Sequence, residues 1–310
     1  MHVRSISPAE VDAFAAIGPH SLGVDGFAQY IRELWQLGAS QPSRCFVIEE
    51  GTHILGRIVY RGSGDDVNFT GLHLPSGEAF FSVGQCLFQE SLSELYREGV
   101  RYLEAFLSSA SAQTEQVREL LQKLGLPLTQ TKFRYIWQGD STSLIPSSRL
   151  IYRTRNQVSD ADFIDLIRRA SIGTLDALDQ LQIKQLGENT HARTYFEVLK
   201  TEFEDHPDWW LAAYTPDQQP VGHIVGVPYN LHRHESAIGY IGVIPEQRGH
   251  GYSDDLLRDG MRAMTAAGIT TVIADTDEVN RPMQAALERC GYQRSDTTWV
   301  YRQALTAILK

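Results

Sequence analysis

The sequence predicts an α/β protein built from two tandem copies of one strand-and-helix unit. Three observations carry this reading. The chain has 310 residues, enough for two domains that each bury a core. Short apolar runs bounded by turn residues alternate with stretches whose apolar positions recur at helical spacing. Landmarks of the first half also return in the second at nearly constant separation. Gly56-Arg57-Ile58-Val59 is matched by Gly222-His223-Ile224-Val225, Leu74-Pro75 by Ile244-Pro245, Gly99 by Gly268, and Lys123-Leu124-Gly125-Leu126 by Arg289-Cys290-Gly291-Tyr292. The expected division is residues 1–145 and 150–310, with the polar stretch Ser141 to Ser148 as linker.

The first half begins with a strand from Val3 to Ile6. Ser7-Pro8-Ala9-Glu10 follows, with an N-cap serine, a proline at the first helical position and a glutamate at the reciprocal capping position, so a helix is expected to about Ile17. A second helical stretch, Phe27 to Leu37, precedes a strand pair, Cys45 to Ile48 and Ile54 to Tyr60. Val67 to Leu74 reads as a strand, followed by a helix to Glu98, a strand from Val100 to Leu107, a helix from Thr114 to Leu124 and a strand around Phe133 to Trp137. In the second half Ile151 to Thr154 is a strand, and Ser159-Asp160-Ala161-Asp162 starts a helix much as Ser7 to Glu10 does. Helices are expected from Phe163 to about Glu204, and a further strand over Thr270 to Asp275.

Composition narrows the function. A net charge of −10 argues against nucleic acid, which calls for a basic face, and favours basic partners. Three scattered cysteines, Cys45, Cys86 and Cys290, have neither disulfide-scaffold nor zinc-ligand spacing, so no metal is expected. The start Met1-His2-Val3-Arg4-Ser5 lacks an apolar signal region, and no apolar run approaches a bilayer span. A cytoplasmic protein with no membrane partner is expected, as a monomer or a homodimer.

Chemistry concentrates in Ile238 to Ser253. Pro245 ends an apolar strand because it cannot donate to a ladder, and Gly249 and Gly251 permit backbone angles that other residues avoid. Leu256, Leu257, Met261 and Met264 then recur at helical spacing, so the loop opens on a helix N-terminus. Free N–H groups there, backed by the helix dipole, suit a phosphate or pyrophosphate; a plain turn before a helix uses the same residues.

The order strand, Val-x-Pro-x-x-Arg-Gly-x-Gly, amphipathic helix, then Asn280 and Gly291-Tyr292, resembles the GNAT superfamily of N-acetyltransferases from roughly Leu150 onward. The family pattern Arg/Gln-x-x-Gly-x-Gly/Ala falls on Arg248, Gly251 and Ser253, so its last position departs, although serine is small and its hydroxyl is able to cap a helix. The resemblance implies two tandem GNAT-like domains, each a mixed, mostly antiparallel sheet flanked by helices. It implies that acetyl-CoA is held by Ile241, Gly242 and Val243 through backbone groups, and by Gln247, Arg248, Gly249, His250, Gly251, Tyr252 and Ser253 at the pyrophosphate. Arg248 supplies the cation in that arrangement. Asn280 braces the pantetheine arm or simply caps a helix. The first half has lost this site, since counting from the paired prolines sets Glu78 against Arg248, Ala79 against Gly249 and Phe81 against Gly251. A structural role, or a wall of the substrate cleft, is expected for it.

Family members often carry a tyrosine four residues before the glycine of the Gly-Tyr pair as general acid, and here Leu287 stands in that place. Tyr240, His223 and Tyr292 are the candidate acid–base groups. Tyr252, Cys290, His232, His234 and Glu235 lie close to the same segments, and Asp275 and Asp277 either bind a substrate cation or cap the next helix. Glu202, Glu204, Asp205 and Asp208 form an acidic run that favours a cationic amine if it lines the cleft. The implied activity is acetyl transfer from acetyl-CoA to a small primary amine by direct attack. An acyl-CoA-binding regulatory protein without the chemistry is the alternative.

Overall fold

The computed structural model describes residues 1–310 other than 63, 112, 141, 143, 204–205 and 230–233, and other than the side chains of 202 and 203. In chain order the elements are β1 (His2–Ser5), α1 (Val11–Ala15), α2 (Gly23–Gln36), β2 (Cys45–Glu50), β3 (His53–Arg61), β4 (Asp66–His73), α3 (Ala79–Arg97), β5 (Tyr102–Ser108), α4 (Thr114–Lys123) and β6 (Leu128–Gln138). The second half adds β7 (Ile151–Thr154), α5 (Asp160–Ser171), α6 (Ala177–Leu186), α7 (Glu188–Phe203), β8 (Trp210–Tyr214), β9 (Pro220–Pro228), β10 (Glu235–Val243), α8 (Tyr252–Ala266), β11 (Thr271–Asp277), α9 (Arg281–Arg289), β12 (Gln293–Ala304) and α10 (Leu305–Ile308).

Two compact units form, and their strand pairing repeats. In unit 1, β1, β2, β3 and β4 are joined antiparallel, and β4 then pairs parallel with β5 over Asp66–Asn68 and Tyr102–Glu104. In unit 2, β7, β8, β9 and β10 are joined antiparallel, and β10 pairs parallel with β11 over Glu235–Ala237 and Thr271–Ile273. A parallel pair needs a long crossover, which α3 supplies in unit 1 and α8 in unit 2. The matched sequence landmarks thus sit at matched places in two like topologies.

The unit boundaries differ from the division at 145 and 150. Unit 1 is Met1–Thr129 with Trp299–Lys310, and unit 2 is Gln130–Thr298. The reason is strand pairing. β6 runs antiparallel to β11 from Lys132 against Asp277 to Gln138 against Thr271, so the strand that closes the first repeat belongs to unit 2. The end of β12 lies beside β5 in unit 1, where Arg302 sits 2.8 Å from Asp66 and 3.0 Å from Glu104. In each unit the exchanged strand covers an edge that would otherwise expose unpaired backbone groups. The linker stretch is also more anchored than its polarity suggests, because Leu144 and Leu150 are buried in the unit 2 core.

Unit 1 covers both faces of its sheet. Phe46, Ile48, Ile58 and Tyr60 pack with the apolar face of α3, whereas Cys45, Val47 and Val59 pack with α1 and α2. Burial on both faces explains why Cys45 to Ile48 reads as an unbroken apolar run rather than as an alternation. Among the described residues, unit 1 has no counterpart of the paired Gly249 and Gly251; a single glycine, Gly77, precedes α3. α3 starts at Ala79, four residues after Pro75, and Glu78 is already right-handed helical (φ −61°, ψ −32°), whereas α8 starts seven residues after Pro245.

Candidate active site

Two adjoining cavities in unit 2 meet at the end of β10. The parallel pairing of β10 with β11 runs from Glu235 to Ala237, and a bulge between Ile238 and Tyr240 shifts the register of β10 against β9. Ile238 to Ile241 of β10 and Ala274 to Asp277 of β11 line a cavity of about 400 Å³ between the two strands, roofed by α6 and α7. Ala170, Thr174, Ile241, Asn280 and Met283 are shared with a second cavity of about 440 Å³ at the glycine loop.

The loop cavity gathers the residues expected at the pyrophosphate: Ile241, Gly242, Val243, Gln247, Arg248, Gly249, Gly251, Tyr252, Ser253 and Asn280 all line it. His250 does not. Gly249 and Gly251 have φ of +84° and +76°, a region that costs an L side chain about 1–2 kcal/mol. A Cβ on Gly249 would meet nothing within 4 Å, and one on Gly251 only Arg149 Nη1 at 3.9 Å, so open space lies over the loop. Among the described residues, the N–H groups of Gly249, His250, Gly251, Tyr252 and Ser253 have no acceptor, and they stand at the N-terminus of the 15-residue α8. An anion with several oxygens fits such a row of donors. The acidic first turn of α8 is compensated, since Asp254 is held by the Arg289 fork at 2.8 Å and Asp255 lies 3.2 Å from Arg149 Nη1. Arg149 also donates to His250 O at 2.6 Å, bracing the loop from outside.

Several expected roles change. Arg248 does not aim its guanidinium at the loop amides: Nε donates to Val243 O at 3.0 Å and Nη2 to Ala170 O and Ile172 O at 2.9 and 2.7 Å, so it ties the loop to the end of α5. Ser253 is not the helix cap, because Gly251 occupies that position and Ser253 lies inside the first turn. Asn280 caps α9, accepting from Met283 N at 3.3 Å, and lines both cavities as well.

Of Tyr240, His223 and Tyr292, Tyr240 alone lines either cavity, and its phenol donates to Asp179 Oδ2 at 3.1 Å. Burial first, and Asp179 second, hold it protonated well above its ordinary pKa of 10. It serves as a donor there, not a base. Tyr292 and His223 line neither cavity. Tyr292 is buried in the core, and burial raises its pKa too. Cys290 is pushed up to about 11 by burial and donates to Asp254 O, away from both cavities. His234 faces Gly268 O at 3.1 Å. His232, Glu204 and Asp205 lie outside the described residues.

His223 is fully buried between Phe163 and Tyr240, with neither ring nitrogen bonded among the described residues. Burial lowers its pKa from 6.5 to about 3. The folded state therefore holds it neutral, and the unfolded chain takes up the proton first as pH falls. The stabilisation is complete above pH ~6.5 and is lost toward pH ~3, by up to ~1.4 kcal/mol per pH unit. Denaturant titrations at pH 8 and pH 5 are expected to show a loss of about 2 kcal/mol that His223→Leu does not share.

Sequence reasoning missed Asp179, His191 and Tyr195. All three line the cavity between β10 and β11. Tyr195 Oη donates to Gly239 O at 2.9 Å, at the bulge, and its ring lies 4.6 Å from that of Tyr240. The same cavity holds Asp275, gripped by Arg134 at 2.8 Å, Asp176, 3.5 Å from Lys132, and Asp277, which accepts from Gln130 and from the amides of Ala177 and Val279. Asp275 and Asp277 thus face the cavity while bonded to protein groups.

Comparison with known proteins matches the segment that holds the site. Residues 175–292 match the Acetyltransferase (GNAT) family. The matched segment, from just before α6 to just past α9, is a GNAT-family domain. The match includes the whole loop and most of the residues that line the two cavities; Lys132, Ala170, Gly173 and Thr174 lie before it. Among solved structures, a GCN5-related N-acetyltransferase from Sphaerobacter thermophilus superposes with a TM-score of 0.65 at 14% identity, covering 98% of this chain and 95% of that one. A tandem GNAT protein from the clavulanic acid biosynthesis pathway gives a TM-score of 0.56 at 12% identity, with 98% of each chain covered. At such identities the likeness shows the fold alone, and the fold it shows is GNAT-like across both halves. No curated protein matches the chain. Among the described residues, no helix is long and apolar enough to cross a membrane.

Proposed function

We propose that unit 2 binds acetyl-CoA, with its pyrophosphate on the loop from Gln247 to Ser253, and transfers the acetyl group to a primary amine in the adjoining cavity. The row of five acceptorless amides over open glycines is the observation that carries this reading. Arg248 and Arg149 fix the loop, and the amides with the dipole of α8 hold the phosphates. The thioester end then reaches the splayed strands, where the amine approaches through the cavity between β10 and β11. Four aspartates and one lysine line that cavity, which favours a cationic acceptor. When bound, acetyl-CoA supplies the activated acyl group; the chain supplies orientation, a largely enclosed site and an acidic approach.

A non-catalytic acyl-CoA-binding protein is the second reading. The buried apolar side chain of Leu287, lining the cavity between β10 and β11 where relatives often carry a tyrosine, favours it. Isothermal titration with acetyl-CoA is the first test of either reading. A stoichiometry near one per chain is expected, because only α8 is preceded by the glycine loop; a value near two, or no binding, contradicts the proposal.

A further inference from the structure

Asp179 stands apart from the other carboxylates of the cavity between β10 and β11. Asp275 and Asp176 are paired with Arg134 and Lys132, and Asp277 accepts from an amide side chain and two backbone amides. Asp179 is almost as buried as a core residue, yet among the described residues its partners are a phenol and an imidazole. Tyr240 donates to Oδ2 at 3.1 Å, and His191 Nε2 lies 3.4 Å from Oδ1, a charge-pair distance rather than a well-formed hydrogen bond. His191 is 1% exposed, lines the cavity, and has no partner for Nδ1 among the described residues. A buried polar ring left unbonded is costly, so an acceptorless, donorless imidazole on a cavity wall marks a place where a ligand group belongs.

Resting on the acetyltransferase reading, we propose that His191 is the base that takes the proton from the acceptor ammonium, positioned by Asp179, which Tyr240 in turn holds in place. A carboxylate facing Nε2 favours the tautomer with the proton on that nitrogen and leaves the Nδ1 lone pair for the substrate. The ammonium gives one proton to Nδ1, and the free amine attacks the thioester carbonyl. The C–N bond forms, the C–S bond breaks, and the departing CoA thiolate takes the second amine proton. The imidazolium then releases its proton to solvent, so the net products are amide, CoA thiol and one proton. Besides Asp179, the ionisable groups facing His191 are Tyr195 on its own helix and Tyr240 on β10. Asp176, Asp275, Asp277 and Lys132 complete the ionisable lining.

Two measurements on the full chain test this. ¹⁵N NMR of the ligand-free protein, with the His191 signals assigned by their loss in His191→Gln, is expected to show the Nε2–H tautomer, and Asp179→Asn is expected to disturb it. An Nδ1–H tautomer overturns the proposal whatever the protein binds. Thiol release from acetyl-CoA with 1,4-diaminobutane, ethanolamine and lysine methyl ester supplies the kinetic arm. His191→Gln is expected to lower kcat/KM about 100-fold or more at neutral pH, with calorimetric acetyl-CoA affinity unchanged, and the deficit should narrow as pH rises toward an amine pKa of about 10. An unchanged rate, or a loss equal at every pH, overturns it. Failure of the wild-type protein to bind acetyl-CoA sinks the acetyltransferase reading instead, and the tautomer result still decides the imidazole's orientation.

Discussion

Gly251→Glu is expected to raise the Kd for acetyl-CoA at least 100-fold. Gly251 caps α8 with φ +76°, lines the loop cavity and belongs to the row of acceptorless amides. Room exists for a side chain, so packing within the protein is not the obstacle. A carboxylate there stands against the pyrophosphate, and at an effective dielectric of 20 two unit charges about 4 Å apart repel by ~4 kcal/mol. Backbone strain adds about 1–2 kcal/mol. Gly125→Glu is the control. Gly125 has φ +79° and equally open surroundings in unit 1, so its strain is alike while its charge is not on the loop before α8. Calorimetry on both variants separates the terms: a large loss in the first and none in the second is the expected pattern.

Arg57→Ala is expected to destabilise unit 1 by about 3–5 kcal/mol without changing acetyl-CoA affinity below the unfolding transition. Arg57 is fully buried at the position that matches His223, and its guanidinium donates to Phe14 O at 2.9 Å, Ala15 O at 2.5 Å and Gly71 O at 3.2 Å while lying 4.4 Å from the centre of the Phe27 ring. Burial lowers its pKa to about 10, which still leaves it charged at neutral pH. Truncation strands three carbonyls and opens a cavity. Urea titration should show an early transition in the variant; an unchanged midpoint would contradict this account of how α1 is fastened to the sheet.

The repeat and the loop were legible because their signals are local. Pro245, Gly249 and Gly251 are bound to particular backbone angles, and Ser159 caps α5 as expected, accepting from Asp162 N at 3.1 Å. The partners of Arg248 were hidden for a physical reason: its three carbonyl acceptors include Ala170 and Ile172, seventy-eight and seventy-six positions away, and a loop arginine looks the same in sequence whether it meets a phosphate or a helix end. The strand exchange was hidden in the same way. Periodicity marks β6 as a strand but does not name β11, over a hundred residues on, as its partner. Asp179 and His191 were invisible because an aspartate early in one helix and a histidine within the next read as a solvated turn and a core filler. Only the packing of α6 and α7 brings Asp179 to Tyr240 on β10 and His191 to Asp179.

The central claim, that unit 2 moves an acyl group rather than merely holding its carrier, is tested most directly by thiol release. With acetyl-CoA and a panel of small primary amines, the wild-type protein is expected to release CoA thiol only when an acceptor is present, one thiol per amide formed, with cationic amines preferred and their KM rising with ionic strength. Tight binding of acetyl-CoA with no amine accelerating release would contradict the claim and leave an acyl-CoA-binding protein.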